Sequence, residues 1–250
     1  MADGGEGLLD VLGGPDRTTE VTGPLGSPVT AGWRLSGGTA VVEMARASGL
    51  VLAGGPDENR PLDATTTGVG ELLRHAVELG ARRVIVGMGG SATTDGGLRA
   101  LEAMGPVARY LGVEILVACD VRTRFTEAAE VFAPQKGATS AQVRLLAGRL
   151  ERLVQVYLER FGSDVSCLDR AGAAGGLAGG LAAMGARVVI SGPPTLIPLD
   201  LSRTSHPQGS LGGAAYEPDL DAAMDDADVV MARRLQPDRQ TAGMLPSVRE

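Results

Sequence analysis

The hydrophobic positions of this chain change period along its length. Over Thr18 to Thr22 and Val29 to Leu35, β-branched and apolar residues alternate with polar ones, the pattern of half-buried strands, across the turn Gly23-Pro24-Leu25-Gly26-Ser27-Pro28. Leu8 to Leu12 predicts the first turns of a helix, Thr39 to Ala45 a strand or a strand running into helix, and Asp57 to Leu62 a polar loop. Residues 1–64 are therefore expected to form a small, mostly β lobe. At Thr65 the period lengthens. Val69, Leu72, Leu73, Ala76 and Val77 recur at helical spacing, and Gly80 offers a C-cap. Val84 to Val86 and Val113 to Cys119 are short apolar runs suited to buried parallel strands, with a helix expected at Leu98 to Met104 between them. Val131 and Phe132 suggest another short strand. A long helix is expected from Ser140, read as its N-cap, with Val143, Leu146, Leu150, Leu153, Val154 and Tyr157 on its apolar face. Ala171 to Ala186 is almost free of polar side chains and predicts a tightly packed helix before a strand at Arg187 to Ile190.

Strands and helices in alternation over 65–190 argue for an α/β domain with a parallel sheet, beside the smaller lobe. From Ser191 to Tyr216 four prolines and no useful period predict irregular structure, so 191–250 is expected as an irregular, degraded C-terminal segment, with a helix at Asp219 to Ala227 and a short strand at Asp228 to Met231.

Composition narrows the functional classes. The 250 residues are 44% hydrophobic and 21% charged, as in ordinary soluble domains, and the net charge of −7 without a basic stripe argues against nucleic acid or an anionic membrane as partner. No apolar run reaches the roughly 20 residues of a membrane span, and MADGGEG has no signal-peptide pattern, so a cytoplasmic location is expected. Cys119 and Cys167 show no metal-ligand spacing and cannot build a disulfide framework. Of 23 basic side chains 22 are arginine, and Lys136 is the only lysine. A drift towards arginine codons accounts for the bias. The surviving lysine is a candidate functional residue, because arginine replaces lysine easily on a solvated surface but poorly where a compact ammonium must fit a tight site; drift alone is the competing reading.

The segment Gly87-Met88-Gly89-Gly90-Ser91-Ala92-Thr93-Thr94-Asp95-Gly96-Gly97 lies between an expected strand and an expected helix, where parallel sheets bind ligands. Its glycines let several N–H groups face one anion, Ser91, Thr93 and Thr94 add hydroxyls, and Asp95 could orient a substrate hydroxyl or hold magnesium through water. It is neither a Walker A motif nor a GxGxxG fingerprint. The competing reading is a glycine-rich turn that serves packing alone. Asp3-Gly4-Gly5-Glu6-Gly7 places two carboxylates among glycines, either in a cleft or at a flexible start. Asp120 ends the Val113–Cys119 run, a position that faces ligands but also forms turns. Lys136, in Pro134-Gln135-Lys136-Gly137, could counter a carboxylate or phosphate as a point charge. Thr65-Thr66-Thr67 could be only a helix cap. His75 on a helix and His206 in the proline-rich stretch provide no histidine base, which argues against a Ser/His hydrolase.

Together these segments resemble the type I glycerate kinase family. The resemblance is carried by MADGGEG at 1–7, VTGPLGSPV at 21–29, VVEMARASGL at 41–50, PLDATTTGVGELLRHA at 61–76, RVIVGMGGSATTDGGLRALEAMG at 83–105, VACDV at 117–121, VFAPQKGAT at 131–139 and AGAAGGLAGGL at 171–181. It implies a Rossmann-like parallel α/β domain joined to a second, smaller α/β lobe, with substrate and nucleotide between them. It also implies ATP and Mg2+ as cofactors and transfer of the γ-phosphoryl of ATP to glycerate, giving 2-phosphoglycerate. By position it makes Asp95, Asp120 and Lys136 the candidate catalytic residues. Asp3, Gly4, Gly5, Glu6, Gly89, Gly90, Ser91, Thr93 and Thr94 are the candidate substrate- and phosphate-binding residues, with Asp95 or Asp120 a route to the metal. Family members carry an APDSFKG-like loop upstream of the acidic loop and a TGEGR-like stretch after the DAD-hydrophobic strand. Here Met1 directly precedes ADGGEG, and Asp226-Ala227-Asp228-Val229-Val230 leads to Asp238-Arg239-Gln240-Thr241 without the TGEGR glycines. A truncated frame is therefore expected, with a non-catalytic remnant that binds ligand weakly as the alternative to a working kinase.

Overall fold

The computed structural model describes residues 7–189, which build one six-stranded sheet in the order β1-β2-β3-β4-β5-β6. A short helix α1 (Leu8–Val11) precedes the antiparallel strands β1 (Arg17–Thr22), β2 (Pro28–Ser36) and β3 (Thr39–Glu43). Beyond α2 (Ala45–Ser48) and α3 (Thr67–Glu78) the remaining strands run parallel to β3: β4 (Arg83–Gly87), β5 (Glu114–Ala118) and β6 (Arg187–Val189). Between them stand α4 (Leu98–Met104), α5 (Ala128–Phe132), α6 (Ser140–Phe161) and α7 (Leu177–Ala183). The α/β class expected from the alternation is what the chain adopts. The strands on either side of residue 64 share one sheet, because Val41 pairs with Ile85 across β3 and β4.

Alternation along the parallel strands sorts their side chains to two faces. Val84, Val86 and Val117 point into the main core with Leu72, Leu73, Leu101, Met104, Leu146, Leu150, Tyr157, Leu177 and Leu181 from α3, α4, α6 and α7. Val41, Ile85 and Ala118 point the other way and meet Leu8 and Leu9 of α1. Trp33 of β2 is fully buried, and its indole N–H donates to Thr19 Oγ1 at 2.9 Å while its ring meets His75 edge-on at 5.9 Å.

Three local expectations change. Val131 and Phe132 belong to the helix α5, not to a strand, because Ala128 and Ala129 bury one face of a single helical turn against the core. The N-cap of α6 is Thr139, not Ser140: its Oγ1 accepts from Gln142 N and its own N–H donates to Gln142 Oε1 at 2.8 Å, a reciprocal capping box. The small-residue stretch 171–186 is a 3-10 turn at Ala173–Gly176 followed by α7, not one helix. The expectations for residues 1–6 and 190–250, including the helix at 219–227, the strand at 228–231 and His206, lie outside the described residues.

Candidate functional site

The parallel strands end in register. Glu43, Gly87 and Ala118 are paired neighbours at the C-terminal edge of β3, β4 and β5, and the candidate loops leave from that edge. The backbone stays laced just beyond it, with Met44 N donating to Gly87 O at 3.0 Å and Met88 N to Ala118 O at 3.1 Å. Glu43 is buried there, 2% exposed. Its Oε1 accepts from Leu9 N at 2.9 Å and its Oε2 from Arg46 Nε at 2.6 Å. A carboxylate on the first turn of α1 satisfies a donor that the helix leaves open, two residues past its N-cap Gly7 (φ 81). Gly7 is the last residue of the acidic motif Asp3-Gly4-Gly5-Glu6-Gly7. Asp3, Gly4, Gly5 and Glu6 themselves lie outside the described residues. Glu43 was not singled out from the sequence; the available signal was one acid closing the apolar run Val41-Val42.

The glycine-rich loop after β4 is clamped rather than free. Leu50 N donates to Gly90 O at 2.8 Å, Ala92 N to Ser48 O at 3.0 Å, and Gly49 bridges Ser91. Gly89 and Ser91 are half-buried and Gly90 is exposed, whereas Thr93 and Thr94 are buried and their hydroxyls have no hydrogen-bond partner among the described residues. Lys136, from the turn at Pro134–Lys136, reaches under this loop. Only 3% exposed, its Nζ donates to Ser91 Oγ at 2.8 Å and Thr93 O at 2.6 Å. Burial brings its ammonium pKa down to about 7, although the charge of Asp95 pulls the other way. The turn fits because Gly137 takes φ +87 and presses on the Pro56 carbonyl, where a Cβ would collide. Asn59 ties the two loops from the side: its Nδ2 donates to Ala92 O at 3.1 Å and to Lys136 O at 2.8 Å. Sequence reasoning passed over Asn59, which sits in an undistinguished polar loop.

Asp95 closes the loop and joins two helices. Its Oδ2 accepts from Thr66 N at 2.9 Å and Thr66 Oγ1 at 2.8 Å, and its Oδ1 from Gly97 N at 3.1 Å. Thr66 Oγ1 in turn accepts from Ala100 N at 3.0 Å. Thr66 and Gly97 are the caps of α3 and α4, so the carboxylate stands at two helix N-termini. Burial nevertheless pushes its pKa above the ordinary carboxylate value, outweighing those donors. Thr65-Thr66-Thr67 is thus more than a local cap: Thr66 partners Asp95. Behind the loop, Gly175 packs so closely on Thr93 that a Cβ would meet its carbonyl, and Tyr157 OH donates to Gly96 O at 2.8 Å. This explains the small residues of 173–180.

Asp120 stands two residues past the end of β5, half-buried, beside the buried Cys119, whose thiol burial pushes up to about 12. The structure thus brings together Ser91, Thr93, Asp95 and Lys136, with Asp120 on the neighbouring strand's exit. On the outer side of Asp95 a cleft of about 510 Å³ opens between the 62–65 turn and α6, lined among others by Thr65, Arg99, Arg149, Arg152 and Leu153. Among the described residues no cluster of three His, Cys, Asp or Glu side chains could cage a metal, and no helix is long and apolar enough to cross a membrane.

Known proteins share this arrangement of segments. A Halalkalibacterium halodurans protein named glycerate kinase is 40% identical over 221 residues, covering 73% of this chain and 58% of its own length. The glycerate 2-kinase of Escherichia coli K12 is 38% identical with the same coverage. A crystal structure from Salmonella typhimurium LT2, described provisionally as glycerate kinase 2, superposes with a TM-score of 0.69 at 37% identity over 75% of this chain and 60% of that one. The chain therefore spans a little over half the length of the curated relatives it matches. The model of the glycerate kinase family matches residues 1–110 and 106–197, which takes in the acidic loop, the glycine-rich loop and Lys136. On that match, and with the glycine-rich loop and Lys136 folded against one another at the sheet edge, this chain belongs to the glycerate kinase family.

Proposed function

We propose that the chain carries the phosphoryl-transfer site of an ATP-dependent glycerate kinase that makes 2-phosphoglycerate. The observation behind this reading is the contact of Lys136 Nζ with Ser91 Oγ and Thr93 O beside Asp95, which fuses two motifs more than forty residues apart into one polar site. In the reaction, the C2 hydroxyl oxygen of glycerate forms a bond to the γ-phosphorus, the bond from that phosphorus to the β-bridging oxygen breaks, and ADP leaves. The hydroxyl proton passes to the Asp95 carboxylate. A carboxylate whose pKa burial raises is a better base than an ordinary surface aspartate, and its three donors hold it still for the transfer. Lys136 keeps the loop rigid from below and adds positive charge when protonated, while Gly89, Gly90 and Ser91, the least buried part of the loop, would supply N–H groups to an anion.

The donor set suits magnesium that arrives with the nucleotide. Such an ion needs one or two carboxylates plus phosphate oxygens rather than a protein cage, and Asp95 or Asp120 would supply them. Bound there, it would neutralise charge on the phosphates. ADP release from MgATP, measured with and without glycerate, tests the reading. Proton-coupled phosphorus NMR then tells a 2-phosphate, coupled to one carbon-bound proton, from a 3-phosphate, coupled to two. Ligand-dependent stabilisation without ADP release would instead favour the non-catalytic, ligand-binding remnant.

A further inference from the structure

The cleft outside Asp95 has a composition that the reaction described so far does not use. Arg149 and Arg152 line it from adjacent turns of α6, and Arg99 lines it from α4. Two carboxylates share the space, but neither neutralises α6. Asp63 lies 3.9 Å from Arg60, and Asp95 spends its oxygens on Thr66 and Gly97. Arg99 is held by Glu102 at 2.8 Å. Arg149 uses Nη1 to hold the Leu62 carbonyl at 2.7 Å, which fixes the 62–65 turn as the facing wall; its other donors have no hydrogen-bond partner among the described residues. Neither Arg149 nor Arg152 has an ion-pair partner among the described residues. Two guanidiniums three residues apart on a helix are surface neighbours, and planar guanidinium forks match a carboxylate in two-bond geometry. Leu62, Leu98 and Leu153 make the remaining walls apolar.

Resting on the glycerate kinase reading, we propose that this cleft seats the acceptor, with Arg149 and Arg152 binding its carboxylate and the hydroxyl turned to Asp95. A short hydroxy acid carries both groups on neighbouring carbons, so one molecule spans arginines and aspartate. A nucleoside triphosphate fits the site less well, because Asp63 and Asp95 face the same space and repel its several negative charges more than the acceptor's single carboxylate.

Calorimetric titration of the full chain with glycerate, with ATP and with inorganic phosphate separates the outcomes. Arg152→Gln and the double variant Arg149→Gln/Arg152→Gln should weaken glycerate at least tenfold and leave ATP within twofold. Arg144→Gln, an exposed change elsewhere on α6, should alter neither. Circular dichroism confirms that the variants fold. Unchanged glycerate affinity in both variants overturns the proposal while leaving the kinase reading intact. Loss of ATP or phosphate affinity in place of glycerate affinity assigns the cleft to the nucleotide and also overturns it. A wild-type chain that binds ATP but no glycerate removes both the proposal and the reading beneath it.

Discussion

Lys136 shows what a single residue can reveal and conceal. Its rarity is plain in the sequence, where every other basic side chain is arginine. Its place beneath the loop, with an ammonium pKa near 7, required the fold. Since that pKa is depressed from 10.5, the unfolded chain holds a proton between about pH 7 and 10 that the native chain gives up. Stability should accordingly rise with pH in this interval. The buried Cys119 thiol opposes the trend only above its ordinary value of 9.0, where the unfolded chain begins to lose that proton. Urea unfolding between pH 7 and pH 9 should therefore show increasing stability, and Lys136→Met should flatten the slope. A slope unchanged in the variant would mean that the lysine is solvated in the native protein. Asn59 and Glu43 could not be found in the same way. Their partners lie 33, 77 and 34 residues distant, and neither residue type nor local pattern marks such contacts.

Elements bounded by their own local chemistry were the legible ones. The helix Leu98–Met104 falls where the sequence places it, because Gly97 and Gly105 take positive φ on either side. The single turn at Ala128–Phe132 is too short to display a period, and so it passed for a strand. Thr139 and Ser140 are both capping residues by type, and Gln142, three places after Thr139, decides between them. The glycines of 172–180 are explained only by what they touch. Gly175 combines φ +65 with contact on the Thr93 carbonyl, the group that Lys136 grips. Gly175→Ala should cost about 2 kcal/mol or more from backbone strain and lost packing. The same change should speed hydrogen exchange at Thr93 to Gly97, read by mass spectrometry. Full protection of that loop in the variant would contradict the close packing of Gly175 on Thr93.

For the whole molecule, the sheet runs without a break from β1 to β6, and one core contains residues of α3, α4, α6 and α7 together with Val21, Ala31 and Trp33 of the first strands. Residues from both sides of position 64 should therefore unfold in one cooperative step. MgATP plus glycerate at about 100 times their dissociation constants should raise stability by roughly 2.7 kcal/mol for each ligand that binds independently. Two separated transitions in calorimetry would instead mean two independent lobes. By itself, the sequence determined the α/β class, most strand and helix positions, the family, and the two motifs, 87–97 and 134–137, that the fold brings into contact. These depend on short-range period, turn residues and glycine spacing, all written locally. Only the tertiary structure decided that the β-rich start joins the parallel sheet, that Thr66 and Asp95 cap each other's helices, that Lys136 lies under the loop, and that α6 turns two arginines into the cleft. Those outcomes depend on which distant side chains share a low-dielectric volume, and burial and pairing across dozens of residues leave no local mark on the chain.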